Sequence, residues 1–263
     1  MIASTANKQV KYVVNLRDKA RVRREEGLFI AEGLRMCREL DPAQTRQVYV
    51  TESFAKEEEN RRWLREFSWE MVSDGVMAHM AVTRTPQGVL ALVRQRTCTL
   101  ESLLKEDPSG PKTCLMILET IQDPGNLGTI LRAGEGAGIT GLIMSPDTAD
   151  IYNPKVIRST MGSCLRVPFV YAQDFAGALA KIKKEKIRLF AAHLQGSVPY
   201  DEEDYRGRVA FLIGNEANGL TEETAKTAHC RIRIPMAGRV ESLNAAVAAS
   251  VLMFEAARQR RRG

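Results

Sequence analysis

Side chains that could bind or orient a substrate occur in three short segments, each of which follows an apolar run of the sequence. Asn126 and Arg132 lie in DPGNLGTILR, Glu216 lies in IGNEANGL, and Ser242 and Asn244 lie in IPMAGRVESLN. An amide can orient a polar group, a carboxylate can accept a proton, and a guanidinium can bind an anion. Each could also serve the fold alone, with Asn126 as a helix cap, Arg132 as a surface charge and the other segments as turns.

A glycine pattern, GAGITG at residues 136–141, matches the dinucleotide-binding fingerprint G-x-G-x-x-G. That fingerprint works only where a strand ends and a helix begins, because the glycines let the pyrophosphate approach the helix N-terminus. Here a helical pattern with Leu127, Ile130 and Leu131 precedes the glycines, and a strand-like run follows them. We therefore expect the glycines to end a helix and allow tight packing, which disfavours a nucleotide-dependent oxidoreductase.

The order of apolar runs and helical patterns predicts an α/β protein with two domains. Residues 1–96 alternate short apolar runs with charged helical patterns, and LLKEDPSGPKT suggests a linker at 97–112. In residues 113–263 the strand-like runs are apolar throughout, which is typical of a parallel sheet covered by helices on both faces. A chain of 263 residues that is 44% hydrophobic can fill such cores.

Basic residues are concentrated near the N-terminus of a chain whose net charge is +6 and whose isoelectric point is about 9.1. A second basic run, RQRRRG, ends the sequence. One such run is commonly a solvated helix face, but two favour a nucleic-acid partner because phosphate contacts release counterions. The candidate RNA-binding residues are Lys8, Lys11, Arg21, Arg23 and Arg24.

Composition disfavours several other classes of site and location. The 5 cysteines are scattered, with no C-x-x-C pair and no histidine cluster at ligand spacing, so we expect neither a disulfide framework nor a metal site. The sequence contains no uncharged apolar run of about 18 residues and no secretory signal at its start. We therefore expect a cytoplasmic protein without a membrane partner.

Together the three segments resemble the SpoU (TrmH) family of RNA 2′-O-ribose methyltransferases, within the SPOUT superfamily. The matching pieces are NLGTILR at 126–132, IGNEANGL at 213–220 and IPMAGRVESLNAAVA at 234–248. Residues 7–96 resemble, more loosely, the substrate-binding domain of that family, through EGLFIAEGLRMCREL and TPQGVLALV. The resemblance implies a C-terminal SPOUT-type parallel sheet with a trefoil knot, and a small N-terminal α/β domain similar to a ribosomal protein.

The resemblance also implies a reaction and a set of site residues. The family transfers a methyl group from S-adenosylmethionine to a ribose 2′-hydroxyl in structured RNA. Here 23S ribosomal RNA is the favoured substrate and transfer RNA is the alternative. The residues implied for catalysis are Asn126, Arg132, Glu216, Ser242 and Asn244. The residues implied for S-adenosylmethionine binding are Leu194, Gln195, Gly214, Ile234, Met236 and Leu243.

Roles for these residues follow as expectations. Because a guanidinium resists deprotonation, Arg132 is expected to bind the adjacent phosphate and stabilise the developing alkoxide. Glu216 would accept the proton or hold Arg132 in a bidentate pair, and Ser242 and Asn244 would orient the ribose or the cofactor. The family implies a homodimer formed by the knot region and the last helix. A non-catalytic RNA-binding or ribosome-assembly protein remains the alternative, against which the intact site residues argue.

Overall fold

The computed structural model describes residues 1–195 and 198–262 and separates the chain into two compact units. The first unit comprises Met1–Arg96 together with Asp150–Leu165, and the second comprises Thr97–Ala149 and Arg166–Gly263. The sequence-based boundaries did not anticipate that residues 150–165 join the first unit. They also treated 97–112 as a linker, whereas the structure groups these residues with the second unit.

Helices and strands alternate along most of the chain. The helices are α1 Lys8–Asp18, α2 Ala20–Glu26, α3 Leu34–Cys37, α4 Glu52–Lys56, α5 Glu58–Leu64, α6 Asp74–Met80, α7 Leu100–Leu104, α8 Pro124–Ala137, α9 Pro154–Thr160, α10 Phe175–Lys184, α11 Glu222–Thr227 and α12 Ala245–Arg262. The strands are β1 Leu28–Glu32, β2 Thr45–Val50, β3 Trp69–Met71, β4 Val89–Arg94, β5 Cys114–Leu118, β6 Gly141–Met144, β7 Phe169–Tyr171, β8 Arg188–Ala192, β9 Val198–Pro199, β10 Val209–Ile213 and β11 Cys230–Arg233.

The first unit is built on a mixed sheet with the strand order β1-β4-β2-β3. Strand β4 runs antiparallel to both β1 and β2, whereas β2 and β3 are parallel. Helix α1 covers this sheet with Val10, Val13 and Leu16, whose spacing places them on one helical face. The basic run near the N-terminus, residues 7–24, lies on two helices, because Lys19 adopts an extended conformation between α1 and α2.

The second unit contains a seven-stranded sheet in the order β7-β6-β5-β10-β8-β11-β9. Its neighbouring strands are all parallel, and β5 and β10 are buried along their whole length. This confirms the predicted α/β fold with a parallel sheet. The trefoil knot that the resemblance implies stays a prediction. Among the helices of residues 1–195 and 198–262, none is long and apolar enough to cross a membrane.

The glycines at the end of α8 act as the sequence suggested. Gly138 ends the helix in the left-handed conformation, with φ of 78°. A Cβ atom on Gly134 would lie 2.5 Å from Ile139 Cδ1 and 3.3 Å from Met253 Sδ, so this glycine lets α8 approach α12 closely. The glycines therefore end a helix. The phosphate-binding fingerprint would require them to precede the start of one.

Candidate active site

The first two sequence segments meet because their strands are neighbours. Strands β5 and β10 are parallel, and Leu118 at the end of β5 pairs with Ile213 at the end of β10. The loops that follow both strands therefore leave the sheet at the same edge. Ligand sites of open α/β sheets lie outside this carboxyl edge.

A chain of hydrogen bonds joins all three segments at this edge. The Asn244 Nδ2 amide donates to Asn126 Oδ1 at 2.9 Å, and the Asn126 Nδ2 amide donates to Glu216 Oε1 at 2.9 Å. Asn244 also caps α12, since its Oδ1 accepts from the backbone N–H groups of Ala246 and Val247. The cap turns the Asn244 oxygen towards the helix, so the Asn244 nitrogen faces Asn126. Because an amide donates only from its nitrogen and accepts only at its oxygen, Asn126 turns its oxygen to Asn244 and its nitrogen to Glu216.

Glu216 lies at the end of this series of hydrogen bonds and is held as a carboxylate. Its oxygens also accept from the backbone N–H groups of Gln122 and Asp123, both at 3.3 Å. Partial burial raises the pKa of Glu216, but the hydrogen bonds from Asn126 and from these backbone groups outweigh burial and bring the pKa below its ordinary value. Glu216 is therefore ionised and a weak base near neutral pH.

Asp123, which the sequence analysis missed, supplies the cap of α8. Its side chain accepts from the Asn126 N–H at 2.8 Å, and Pro124 begins the helix. The alternative that Asn126 serves only as the helix cap therefore does not apply: Asn126 lies in the first turn, and its side-chain amide bonds to Asn244 and Glu216. An Asp-Pro pair before a helical pattern is the signal that could have placed the cap correctly.

A cleft of about 1100 Å³ opens beside Glu216 and Asn244, between the loops that follow β8, β10 and β11 and the start of α12. Its wall includes all the residues predicted to bind S-adenosylmethionine, together with Ser242. Those residues are Leu194, Gln195, Gly214, Ile234, Met236 and Leu243. The structure brings these residues to one cleft, and their contact with a cofactor stays a prediction.

The cleft wall at Gly214 is backbone packed on backbone. A Cβ atom at this position would lie 2.1 Å from the Gly219 carbonyl carbon and 2.1 Å from the Leu220 nitrogen. The loop beyond it is closed by reciprocal backbone hydrogen bonds between Asn215 and Gly219, at 3.0 and 2.9 Å. Asn215, a second residue that the sequence analysis did not select, also ties this loop to the carbonyl of Thr120 at 2.8 Å.

Comparison with known proteins shows the family to which this chain belongs. Residues 113–254 match the model of the SpoU rRNA Methylase family, and residues 7–91 match an MRM3-like substrate binding domain. The chain belongs to the SpoU rRNA methylase family.

Relatives of this family match the chain over nearly its whole length. The 23S rRNA (guanosine(2553)-2′-O)-methyltransferase RlmP of Bacillus subtilis is 26% identical over 96% of this chain and 97% of its own. The AdoMet-bound rRNA methyltransferase from Sinorhizobium meliloti is 32% identical, with a TM-score of 0.85 over 98% of this chain and 97% of that one. The SpoU methyltransferase AviRb from Streptomyces viridochromogenes, in complex with AdoMet, is 26% identical with a TM-score of 0.86 over 98% and 99% of the two chains.

Arg132 lies apart from the hydrogen-bonded chain of this SpoU-family site. It belongs to α8, its side chain is exposed, and it does not line the cleft. Within residues 1–195 and 198–262 it forms no ion pair with Glu216, whose oxygens are occupied by Asn126 and by backbone groups. The bidentate pair considered from the sequence is therefore not formed.

The residues predicted to bind RNA separate into two groups in the structure. The side chains of Lys8, Lys11, Arg21 and Arg24 are exposed. Arg23 is only 3% exposed and forms an ion pair with Asp150 at 2.7 Å, while its Nη1 donates to two backbone carbonyls of α1. The guanidinium of Arg23 is therefore engaged inside the first unit, and its contact with RNA stays a prediction that this burial disfavours.

Proposed function

We propose that this SpoU-family protein methylates a ribose 2′-hydroxyl of ribosomal RNA, with 23S RNA as the substrate and S-adenosylmethionine as the methyl donor. The observation that carries the proposal is the hydrogen-bonded chain from Asn244 through Asn126 to Glu216, which joins three distant segments beside a cleft large enough for a nucleoside cofactor. The names of the relatives RlmP and the S. meliloti rRNA methyltransferase support the choice of ribosomal RNA.

The cleft residues suit S-adenosylmethionine, which supplies an electrophilic methyl group when it is bound. Gly214 lines the cleft, and its lack of a side chain lets the backbone of Gly219 and Leu220 pack against it and form this part of the wall. Backbone groups and the apolar side chains of Ile234, Met236 and Leu243 suit an adenine ring, which needs no charged partner. Leu194 and Gln195, which follow β8, line the same cleft and would contact the same cofactor.

The chain's own residues would position the RNA and stabilise charge. Arg132, exposed and free of Glu216, would bind a phosphate and stabilise the oxygen of the 2′-hydroxyl as it becomes negative. Glu216 would act as a positioning residue, because its lowered pKa and its hydrogen bonds make it a poor proton acceptor. The proton of the 2′-hydroxyl would then pass to solvent water. Ser242, exposed on the cleft wall, and Asn244 would orient the ribose or the methionine end of the cofactor.

We also propose that the protein works as a homodimer through α12. Val247 and Phe254 on this helix are 48% and 47% exposed, although the helix is otherwise packed against α8. Large exposed apolar side chains on one helix are typical of an interface between subunits. Light scattering of the wild-type protein and of a Phe254→Glu variant tests this, since only the wild type should have the mass of a dimer.

The experiment that tests the function is methyl transfer from radiolabelled S-adenosylmethionine to total RNA of a strain that lacks this gene. The labelled RNA is then separated by size and digested to nucleosides. Label at a 2′-oxygen of 23S RNA is the expected result. Label in transfer RNA would instead identify transfer RNA as the substrate. Binding of S-adenosylmethionine without label in naked RNA or in ribosomal subunits would show a binding protein and not an enzyme.

A further inference from the structure

A second basic surface of the first unit is formed by α3 and the loop that precedes β4. We call residues 33–35 and 82–88 the loop platform. Glu32 joins its two parts: its carboxylate accepts from the Val82 N–H at 2.6 Å, from the Thr83 N–H at 3.3 Å and from the Thr83 hydroxyl. Gln87 closes the other side, because its Oε1 accepts from the Leu34 N–H at 2.9 Å.

Both ends of the loop are also held. The Arg17 guanidinium donates to the carbonyls of His79 at 2.6 Å and Ala81 at 3.1 Å, directly before the loop. At the other end the Gly88 carbonyl accepts from the Thr51 N–H at 2.9 Å. Gly88 has φ of +75°, and a Cβ atom there would lie 2.4 Å from Thr51 Oγ1. The loop lacks regular structure, yet its conformation is determined by the residues around it.

The loop platform presents two guanidinium groups to solvent. Arg35 and Arg84 are exposed, and neither forms a hydrogen bond or ion pair with its side chain within the part of the chain that the structure describes. In the N-terminal basic run, Arg17 donates to carbonyls, Arg21 pairs with Glu25 and Arg23 is buried, whereas Lys8, Lys11 and Arg24 are exposed. The platform therefore carries free cations on a backbone that is already ordered.

We propose that the loop platform binds the phosphate backbone of the RNA substrate through Arg35 and Arg84; this inference rests on the proposed function. Guanidinium groups bind phosphates with two parallel hydrogen bonds, and the exposed Thr85 and Gln87 side chains offer further donors. Because Glu32 and Gln87 fix the loop beforehand, binding does not have to order it, which favours affinity.

The first test compares two double variants that remove the same charge. Arg35→Glu with Arg84→Glu alters the platform, whereas Arg61→Glu with Arg65→Glu alters exposed arginines at α5 and its end. The probe is a full-length 23S RNA transcript, and its affinity is measured over a range of salt concentrations. The platform variant should bind about tenfold or more weakly, with a salt slope reduced by roughly 2, while the α5 variant stays near wild type. Equal binding by both variants would overturn the proposal.

A second test separates the shape of the loop from its charge. Glu32→Gln removes a negative charge, so charge alone predicts tighter RNA binding. The platform predicts weaker binding, because the loop loses its carboxylate anchor. Gln87→Ala leaves the charge unchanged and should also weaken RNA binding. It replaces Glu32→Gln as the test if the Glu32 variant does not fold. Wild-type affinity in Gln87→Ala together with tighter binding in Glu32→Gln would overturn the role of the ordered loop.

Failure of this inference can be told apart from failure of the proposed function. Binding of S-adenosylmethionine by calorimetry and methyl transfer by the wild-type protein report on the function. If the wild type methylates RNA and the platform variant binds that RNA equally well, only the platform is wrong. If the wild type neither binds the cofactor nor methylates RNA, the proposed function is wrong.

Discussion

At the scale of single residues, the direction of each hydrogen bond determines what the site can do. Asn244 must turn its oxygen to the N–H groups of α12, so its nitrogen faces Asn126. Asn126 then faces Glu216 with its own nitrogen. This order leaves Arg132 as the exposed cation among the proposed catalytic residues, available to the RNA and not committed to Glu216.

Replacement of Arg132 by alanine should lower the rate of methyl transfer about 100-fold or more, because the developing negative oxygen loses its cation. Cofactor affinity should stay near wild type, since Arg132 does not line the cleft. Single-turnover kinetics and calorimetry measure the two quantities. Thr129→Ala, at an exposed position one turn earlier in α8, is the control and should retain activity. Near wild-type transfer by the Arg132 variant would place the active site elsewhere.

The lowered pKa of Glu216 predicts how methyl transfer depends on pH. Its folded-state pKa lies below the unfolded value of about 4.3, so its stabilising contribution is complete above that value and is lost as pH falls through the folded pKa. Between pH 6 and 9 Glu216 should not titrate. Glu216→Gln should therefore reduce the rate without altering the shape of the pH-rate profile in that range. Loss of an acidic limb in this variant would instead identify Glu216 as the proton acceptor.

At the scale of elements, the loop after β10 depends on a glycine at its first position. The backbone of Gly219 and Leu220 lies where the side chain of any other residue at 214 would begin. Backbone atoms cannot move aside as the end of a flexible side chain can. The cleft wall and the position of Glu216, two residues later, therefore depend on this contact.

Gly214→Ala should lower the free energy of unfolding by about 3 kcal/mol, because the added methyl group overlaps with backbone atoms. If the variant still folds, its loop must move and its affinity for S-adenosylmethionine should fall. Urea denaturation and calorimetry measure these effects. Gly207→Ala is the matched control, since nothing lies within 4 Å of a Cβ atom there. A Gly214 variant as stable and as tight-binding as this control would contradict the packing.

At the scale of the whole molecule, an ion pair between buried Arg23 and partly exposed Asp150 holds a distant segment in the first unit. Arg23 in α2 and Asp150 are 127 positions apart in sequence and are joined by two hydrogen bonds from the guanidinium to one carboxylate oxygen. Asp150 is also where residues 150–165 join this unit. A cation in the basic run is thus a structural residue.

Arg23→Met should destabilise the protein by about 3 kcal/mol, because it leaves Asp150 and two carbonyls of α1 without their donor. Arg21→Met, which breaks only the exposed pair with Glu25, should cost less than about 1 kcal/mol. Chemical denaturation of both variants measures the difference. If Arg23→Met were as stable as wild type and bound RNA more weakly, Arg23 would be an RNA contact after all.

The sequence alone determined the features that depend on neighbouring residues. Apolar runs predicted the parallel strands, and the order of helix and glycines showed that GAGITG closes α8. Residue types near the strand ends, with the resemblance, identified Asn126, Glu216 and Asn244. Helix caps are also local, yet Asp123 was overlooked because Asn126 is an equally suitable type for a cap.

The tertiary structure decided which distant segments meet. Asn126 lies 90 positions from Glu216 and 118 from Asn244. Glu216 meets Asn126 because β10 lies beside β5 in the sheet, and Asn244 meets it because α12 packs against α8. Strand order, the burial of Arg23 and the return of residues 150–165 to the first unit arise from packing between segments far apart in sequence. Local periodicity shows which face of an element is apolar but not which element will cover it, so these contacts could be found only in the folded chain.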